Sequence, residues 1–182
     1  MSKKIVFIGA GSVTFTRNLV RDLLTFPAFA DAQVGLVDID PDALEDAKKA
    51  VQRIIDAGKY PATIVASTDR KDVLPGADGV VTTIRVGNDQ SEYNELAIPK
   101  EYGISINVGD TRGPSAIFRF LRVIPDLIDI VKDIEKYCPD AIFLNYTNPM
   151  AMVCRALQQI SKVRTSGLCH SVQGTAEMLA RW

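Results

Sequence analysis

Two glycines stand immediately after a short apolar run near the start of the chain, in the order Gly9-Ala10-Gly11-Ser12. Small residues at this place allow a tight turn between a strand and a helix, so that backbone amides and the positive end of the helix can face a pyrophosphate. Thr14 stands where the usual fingerprint has a third glycine, which weakens the motif taken alone. The residues predicted to contact a dinucleotide there are Gly9, Ala10, Gly11, Ser12 and Val13.

A carboxylate follows the second apolar run, in the segment Leu36-Val37-Asp38-Ile39-Asp40. At the tip of a second strand, Asp38 would meet the adenosine ribose hydroxyls of NAD, and its charge favours NAD over NADP. Asp40 directly precedes Pro41, an arrangement typical of a residue that caps a helix. We therefore predict a ribose-binding role for Asp38 and a capping role for Asp40.

Another apolar run ends in Thr82-Thr83-Ile84-Arg85-Val86-Gly87. Rossmann proteins commonly present backbone and small side chains to the nicotinamide half of the cofactor at the end of this strand. Ile84 and Arg85 are therefore predicted cofactor contacts. For Arg85, a solvated arginine at the end of a strand is an equally good interpretation.

Four polar residues in the second half of the chain could serve a reaction. Asn148 precedes Pro149 after a late strand, at the edge where ligands of open α/β folds bind, although Asn-Pro also starts turns. Asp110 lies in a glycine-rich loop, Cys169 is one of three separated cysteines, and His170 is the single histidine. Taken singly, a turn aspartate, an inert core cysteine and a structural histidine are the ordinary interpretations.

The elements that must position these residues follow an alternating pattern. Apolar, β-branched runs alternate with segments of helical period, which is typical of strands buried on both faces of a parallel sheet. The sequence predicts strands over residues 4–9, 33–37, 63–67, 79–84, 141–145 and 165–168, and helices over 13–24, 42–57, 90–102, 115–137 and 150–160. The predicted fold class is α/β, with a Rossmann-like, doubly wound and mainly parallel sheet.

Three further expectations concern the second half of the chain. The glycine-punctuated stretch 103–114 is predicted to be a functional loop. Arg119 and Arg122, three apart on one helical face, are expected to be solvated charges. Thr175 is predicted to cap a helix that has only just begun, so we expect residues 1–182 to be an NAD-binding Rossmann-like domain, the N-terminal part of a longer enzyme and inactive alone.

Composition excludes several classes of partner. Lysine and arginine total 21 against 22 acidic residues, and no basic run interleaves with aromatic residues, which argues against nucleic acid and anionic membranes. The apolar run at the N-terminus is too short for a signal peptide or for a membrane span of about 20 residues. Because the three cysteines have neither disulfide-framework nor zinc spacing, we expect a cytoplasmic protein with reduced thiols.

Four segments together resemble glycoside hydrolase family 4. Lactate and malate dehydrogenases share the fold and an Asn-Pro after a late strand, but lack the Gly-Asp-Thr loop and the Cys-His-Ser-Val segment. The resemblance spans the whole chain, and the combination of its four segments is specific to this family. Its segments are Gly9-x-Gly11-Ser12, Asn107-Val108-Gly109-Asp110-Thr111, Asn145-Tyr146-Thr147-Asn148-Pro149-Met150 and Gly167-Leu168-Cys169-His170-Ser171-Val172.

The resemblance implies a glycosidase that works through NAD and a divalent metal such as Mn²⁺, outside the usual two-carboxylate scheme. In this chemistry the 3-hydroxyl is oxidised, the carbon 2 proton is removed, the aglycone leaves, water adds and the hydride returns. It implies that Cys169 is a metal ligand, that His170 is a catalytic residue and substrate contact, that Asp110 is a further catalytic acid, and that Asn148 binds the sugar. The histidine that completes the family's metal site and the tyrosine that removes the carbon 2 proton have no counterpart here.

The same resemblance bears on the substrate. The Cys-His-Ser-Val form is similar to that of α-galactosidases, with α-glucosidases, α-glucuronidases and α-galacturonidases as neighbouring alternatives. A 2-hydroxy-acid NAD dehydrogenase and a non-catalytic NAD-binding module are the remaining alternatives. The implied partners are a small-molecule sugar and further copies of the chain, in a dimer or tetramer.

Overall fold

The computed structural model describes residues 2–169 and 171–182, and strands and helices alternate along them. The strands are β1 (Lys4–Ile8), β2 (Gln33–Val37), β3 (Thr63–Ser67), β4 (Gly79–Thr82), β5 (Ile142–Asn145) and β6 (Arg164–Gly167). The helices are α1 (Val13–Thr25), α2 (Pro41–Gly58), α3 (Arg70–Val73), α4 (Asp89–Glu101), α5 (Pro114–Tyr137), α6 (Met150–Ile160) and α7 (Ser171–Ala180), with a short 3₁₀ turn at Pro27–Phe29.

The six strands form one sheet in the order β3-β2-β1-β4-β5-β6, and all neighbouring strands are parallel. This confirms the doubly wound α/β prediction. The strand order changes direction between β1 and β4, so the chain leaves these two strands toward opposite sides of the sheet. In such sheets the crevice for a ligand opens at the carboxyl ends of the strands at that point.

The central strands β1, β2 and β4 are largely buried on both faces. Alternate residues of each strand point to opposite sides, where helices cover them. Val6 packs in one cluster with Leu127 and Ile134 of α5. Phe7, its neighbour on β1, packs in a second cluster with Val20 of α1 and Val51 of α2. The helices on the two faces thereby hold the central strands, and the loops at their ends, in fixed positions.

Some details differ from the sequence prediction. β1 ends at Ile8, because Gly9 adopts a φ of +87° that leaves the extended conformation. The short helix α3 was not predicted; its N-cap is Asp69, whose carboxylate accepts a hydrogen bond from the amide of Lys71. The prediction that Thr175 begins the last helix is wrong, since α7 begins at Ser171 and Thr175 lies inside it.

Within the described residues, no helix combines the length and apolar character that crossing a membrane requires. The stretch between α4 and α5 contains neither a helix nor a strand, in agreement with the predicted loop.

Candidate functional site

A cleft of about 890 Å³ opens at the carboxyl ends of β2, β1 and β4. Its walls run from the tip of β2, across the glycine loop after β1, to the segment that follows β4. Residues of the β3–α3 turn and of α5 close the far side. The lining residues are Ile8, Gly9, Ser12, Val37, Asp38, Ile39, Thr68, Asp69, Arg70, Thr83, Ile84, Arg85, Val86, Gly87, Asp126 and Ile130.

Glycine is required at positions 9 and 11 because neighbouring backbone and side-chain atoms leave no room for a Cβ. A Cβ on Gly9 would lie 2.9 Å from the carbonyl carbon and oxygen of Thr83, and the φ of +87° is strained for any residue with a side chain. A Cβ on Gly11 would lie 2.7 Å from Oδ2 of Asp38. The two glycines therefore let the β1 loop pack against the ends of both neighbouring strands.

The carboxylates of Asp38 and Asp40 have separate roles. Asp38 accepts hydrogen bonds from the amide of Gly11 at 2.6 Å and from that of Asp40 at 3.0 Å, and it lines the cleft. Asp40 accepts from the amides of Asp42 and Ala43 and caps α2, as predicted. Since an ionised carboxylate has about four acceptor sites, Asp38 retains capacity for ligand hydroxyls.

The amides of the glycine loop are largely paired within the protein. Those of Gly9 and Ala10 donate to the carbonyl of Val37, and that of Gly11 donates to Asp38. Of the five loop residues predicted to contact the cofactor, Gly9 and Ser12 line the cleft, whereas Ala10 is fully buried and Val13 packs on the core. Recognition of a pyrophosphate here would therefore depend on Ser12 and on the positive end of α1 more than on these amides.

Ile84 and Arg85 both line the cleft beyond β4, where the sequence predicted them. The Arg85 side chain is 54% exposed and forms ion pairs with Asp89 at 2.5 Å and Glu92 at 3.0 Å. These carboxylates raise the pKa of the guanidinium above its ordinary value. Arg85 is thus a solvent-facing cation at the mouth of the cleft.

A second, smaller cavity of about 200 Å³ adjoins the cleft and shares Ile84, Arg85 and Val86 with it. Arg119 and Arg122 of α5 also line it. The expectation that these two arginines are solvated charges is wrong. Their side chains are 21% and 25% exposed, and both are paired with the buried Glu95 of α4. The sequence offered no signal for this contact, which joins residues more than 20 positions apart.

Asn148 and Asp110 come together at the same edge of the sheet. The Asn148 side-chain amide donates to Oδ2 of Asp110 at 2.7 Å, and its oxygen accepts from the amide of Met150 at 3.3 Å. Asn148 lines the smaller cavity, which places the predicted sugar contact next to the predicted acid. The 103–114 loop is thereby attached to the turn after β5.

A buried asparagine that sequence reasoning did not select organises that turn. Asn145, the last residue of β5, accepts hydrogen bonds from Thr82 Oγ1 and from the amide of Thr147, and it donates to the carbonyl of Thr147. The Thr147 hydroxyl in turn donates to the carbonyl of Ile84 at 3.3 Å. Asn145 therefore connects the ends of β4 and β5, and a polar residue within a buried apolar strand was the signal for it.

Cys169 is exposed after β6, whereas Cys138 and Cys154 are buried; all three are free thiols. Burial is the main factor that raises the pKa of Tyr146, and the nearby carboxylate of Asp22 adds to it. His170 lies outside the described residues. Among residues 2–169 and 171–182, no three histidine, cysteine, aspartate or glutamate side chains gather into a metal-binding group.

The parallel sheet, the cleft at its switch point and the carboxylate at the tip of β2 define a dinucleotide-binding protein of the Rossmann class. Comparison with known sequences identifies the family within this class. The chain belongs to family 4 of the glycosyl hydrolases, whose sequence profile it matches over residues 4–182.

Named relatives and solved structures agree with that assignment. An alpha-galactosidase of Bacillus subtilis is 44% identical over 94% of this chain and 40% of its own length. An alpha-galacturonidase of Thermoanaerobacterium saccharolyticum is 38% identical over 97% of this chain and 38% of its own. The structure of the 6-phospho-beta glucosidase from Thermotoga maritima with manganese, NAD⁺ and glucose-6-phosphate superimposes with a TM-score of 0.82 at 25% identity, over 98% of this chain and 43% of that one. The chain thus spans about two fifths of the length of these relatives.

Proposed function

We propose that residues 1–182 form the NAD-binding domain of a glycosidase that hydrolyses α-galactosides. The reaction uses NAD and a divalent metal, for which Mn²⁺ is the first candidate. The observation that carries the proposal is the cleft at the switch point, with Asp38 at one end and the β4 segment at the other, in a family 4 chain. The 44% identity to an alpha-galactosidase supports the substrate.

The order of strands β2, β1 and β4 supports one orientation of the cofactor. The adenosine ribose lies on Asp38, the pyrophosphate crosses Ser12 at the positive end of α1, and the nicotinamide half reaches Ile84 and Arg85. The three sites follow one another along the walls of a single cleft. Asp38 disfavours NADP because a 2′-phosphate would meet its negative charge.

The sugar is proposed to bind beyond the nicotinamide end, at the smaller cavity beside Asn148. There Asn148 can bind a sugar hydroxyl, and its contact with Asp110 orients the amide and holds the acid in reach of the same ligand. His170, proposed as a second catalytic residue that contacts the glycosidic oxygen, follows Cys169 directly in the sequence.

The proposed metal has only part of its ligand set among the described residues. Cys169 offers an exposed sulfur, a donor that binds once deprotonated, and Asn148 and Asp110 offer oxygens, so the chemistry of the donors suits a divalent transition metal. When bound, NAD would accept a hydride and the metal would act as a Lewis acid. This chain's own part is to bind and orient both partners and the sugar.

The charge around the smaller cavity favours an uncharged sugar over the uronate alternative. Each of its three arginines is paired with carboxylates: Arg85 with Asp89 and Glu92, and Arg119 and Arg122 with Glu95. A galacturonide would have to displace one of these partners to gain an arginine. The same pairing removes the free arginine clamp that a 2-hydroxy-acid dehydrogenase needs for its substrate.

Two broader parts of the proposal concern the cell. The free thiols of Cys138, Cys154 and Cys169 support the cytoplasm as the site of action, since thiols stay reduced there. Assembly into a dimer or tetramer stays a prediction from the family resemblance, and analytical ultracentrifugation of the natural protein would test it.

The activity is tested in the natural protein that contains this chain. We expect hydrolysis of 4-nitrophenyl α-galactoside to require both added NAD and added Mn²⁺, and to exceed hydrolysis of the corresponding α-galacturonide. Cys169→Ser should lower the affinity for Mn²⁺ and the rate, while NAD affinity stays the same because the dinucleotide binds elsewhere. Full activity after exhaustive chelation, or in the Cys169→Ser variant without added thiol, would contradict the proposal.

A further inference from the structure

Glu95 is a carboxylate buried in the middle of α4, with only 4% of its side chain exposed. Arg119 Nε and Nη2 lie 2.9 Å and 2.7 Å from its Oε2. Arg122 Nη2 forms an ion pair with its Oε1 at 2.5 Å. One buried carboxylate thus serves two arginines of α5.

Burial of this group calls for an explanation other than stability. Removing a carboxylate and two guanidinium groups from water carries a large desolvation penalty, and buried ion pairs can often be replaced by apolar residues without loss of stability. Apolar packing is available as an alternative here, since Val123, on α5 with the two arginines, belongs to the core. We therefore expect the ion pairs to fix the position of another part of the chain.

Arg122 connects Glu95 to the loop that follows β4. While Nη2 faces Glu95, Nε donates a 2.7 Å hydrogen bond to the backbone carbonyl of Val86. A Cβ on the adjacent Gly87, whose φ is +99°, would lie 2.7 Å from the same Nε, so the chain packs directly on the guanidinium. The planar guanidinium therefore fixes the loop backbone on one side and contacts Glu95 on the other.

This loop, residues 84–87, forms the β4 end of the cleft and one wall of the smaller cavity. We propose that Glu95 is a positioning residue: by holding Arg122, it sets the backbone of residues 84–87 against the nicotinamide half of the cofactor. The proposal rests on the proposed function for the identity of the cofactor. Glu95 itself contacts the arginines and not the ligand.

The test compares two ligands that differ only at the nicotinamide. In Glu95→Gln, the Kd for NAD should rise about tenfold, the size of effect expected when a charge-assisted contact is lost. The Kd for ADP-ribose, which lacks the nicotinamide, should change less than about twofold. Glu101→Gln, an exposed carboxylate at the end of the same helix, is the control and should leave both values unchanged.

Two further variants separate positioning from folding. The triple variant Glu95→Leu, Arg119→Met, Arg122→Met leaves no buried charge unpaired, so it should fold cooperatively. It should still bind NAD more weakly than the parent, with its affinity for ADP-ribose unchanged. Arg122→Lys keeps the charge but not the fork that spans Glu95 and Val86, so it should behave like Glu95→Gln. Amide hydrogen exchange of residues 84–88 should be faster in all three variants.

The outcomes are distinct. If the folded triple variant binds NAD as tightly as the parent, or weakens NAD and ADP-ribose equally, the positioning role is wrong. If the parent itself does not bind NAD, the proposed function fails, and hydrogen exchange then tests the positioning of residues 84–88 alone. Unchanged exchange in the triple variant would overturn the inference in that case too.

Discussion

Gly9 meets two constraints at once, because its φ is +87° and because a side chain there would approach the carbonyl of Thr83. Gly76 has a similar φ of +76° but open space around it. Gly9→Ala should therefore lower the free energy of unfolding by about 2–4 kcal/mol, and Gly76→Ala by about 1–2 kcal/mol, since only the first adds a steric clash to the left-handed strain.

Urea denaturation of both variants measures this difference. The comparison isolates the close approach of the β1 loop to β4, because the two substitutions share the same strain. Equal losses of stability would show that the contact with Thr83 relaxes at no cost, and would contradict the tight packing described for this turn.

At the level of single residues, the sequence predicts what local chemistry determines. Asp38 and Asp40 could be given separate roles because a cap is recognised by the proline that follows it, and the structure agrees for Asp40. Glu95 could not be found in this way. Its burial depends on two arginines from another helix, and nothing within one turn of α4 marks it as different from the exposed Glu101.

At the level of elements, the cap of α2 should contribute to stability and not to the binding of the dinucleotide. Asp40→Ala removes an acceptor for the amides of Asp42 and Ala43, which should cost about 1 kcal/mol of unfolding free energy. Its Kd for NAD should equal that of the parent. Asp46→Ala, an exposed position on the same helix, should stay within about 0.5 kcal/mol. Loss of NAD affinity in Asp40→Ala would contradict the division of roles.

The edge where β1 and β4 begin predicts a pH dependence. Asp78 accepts hydrogen bonds from Lys3 Nζ and from the amide of Lys4, and these bonds lower the pKa of its carboxyl. A lowered pKa in the folded state stabilises the protein above the unfolded pKa of about 3.9, and this stabilisation is lost as the pH falls toward the folded pKa. Because 37% of the side chain is exposed, the contribution should stay below about 1 kcal/mol.

Asp78→Asn provides the measurement. Thermal or urea unfolding should show the parent more stable than the variant at pH 7, with the difference shrinking as the pH falls below about 3.9 and through the folded pKa. A constant difference across that range would mean that the carboxyl is not ionised differently in the folded and unfolded states.

The elements themselves were the most predictable part of the fold. Runs of β-branched residues mark strands buried on both faces, and β2 and β3 fall at their predicted bounds. Errors occur where tertiary contacts decide the boundary. β4 ends at Thr82, two residues before its predicted end. The segment that follows it is hydrogen-bonded to the loop after β1 through Thr83 and to the turn after β5 through Thr147. α3 has only four residues, too few for a periodic pattern.

At the scale of the whole molecule, the sheet alone does not define the activity, because Rossmann-like sheets support many different reactions. The elements together form a cleft with the carboxylate of Asp38 at one end and the loop of residues 84–87 at the other. The proposed site of the reaction lies where the 103–114 loop meets the turn after β5, through the contact of Asp110 with Asn148. That contact joins distant parts of the chain, which is why periodicity could not predict it.

The central claim, that this cleft binds NAD through Asp38, is tested most directly by the ratio of the Kd values for NADP and NAD, measured by calorimetry. A ratio is used because a general loss of stability would affect both ligands alike. We predict a ratio above about ten for the parent and for Asp40→Ala, and a ratio near one for Asp38→Ala, whose NAD affinity should also fall at least about tenfold. Equal affinities for the two dinucleotides in the parent, or an unchanged ratio in Asp38→Ala, would contradict the account.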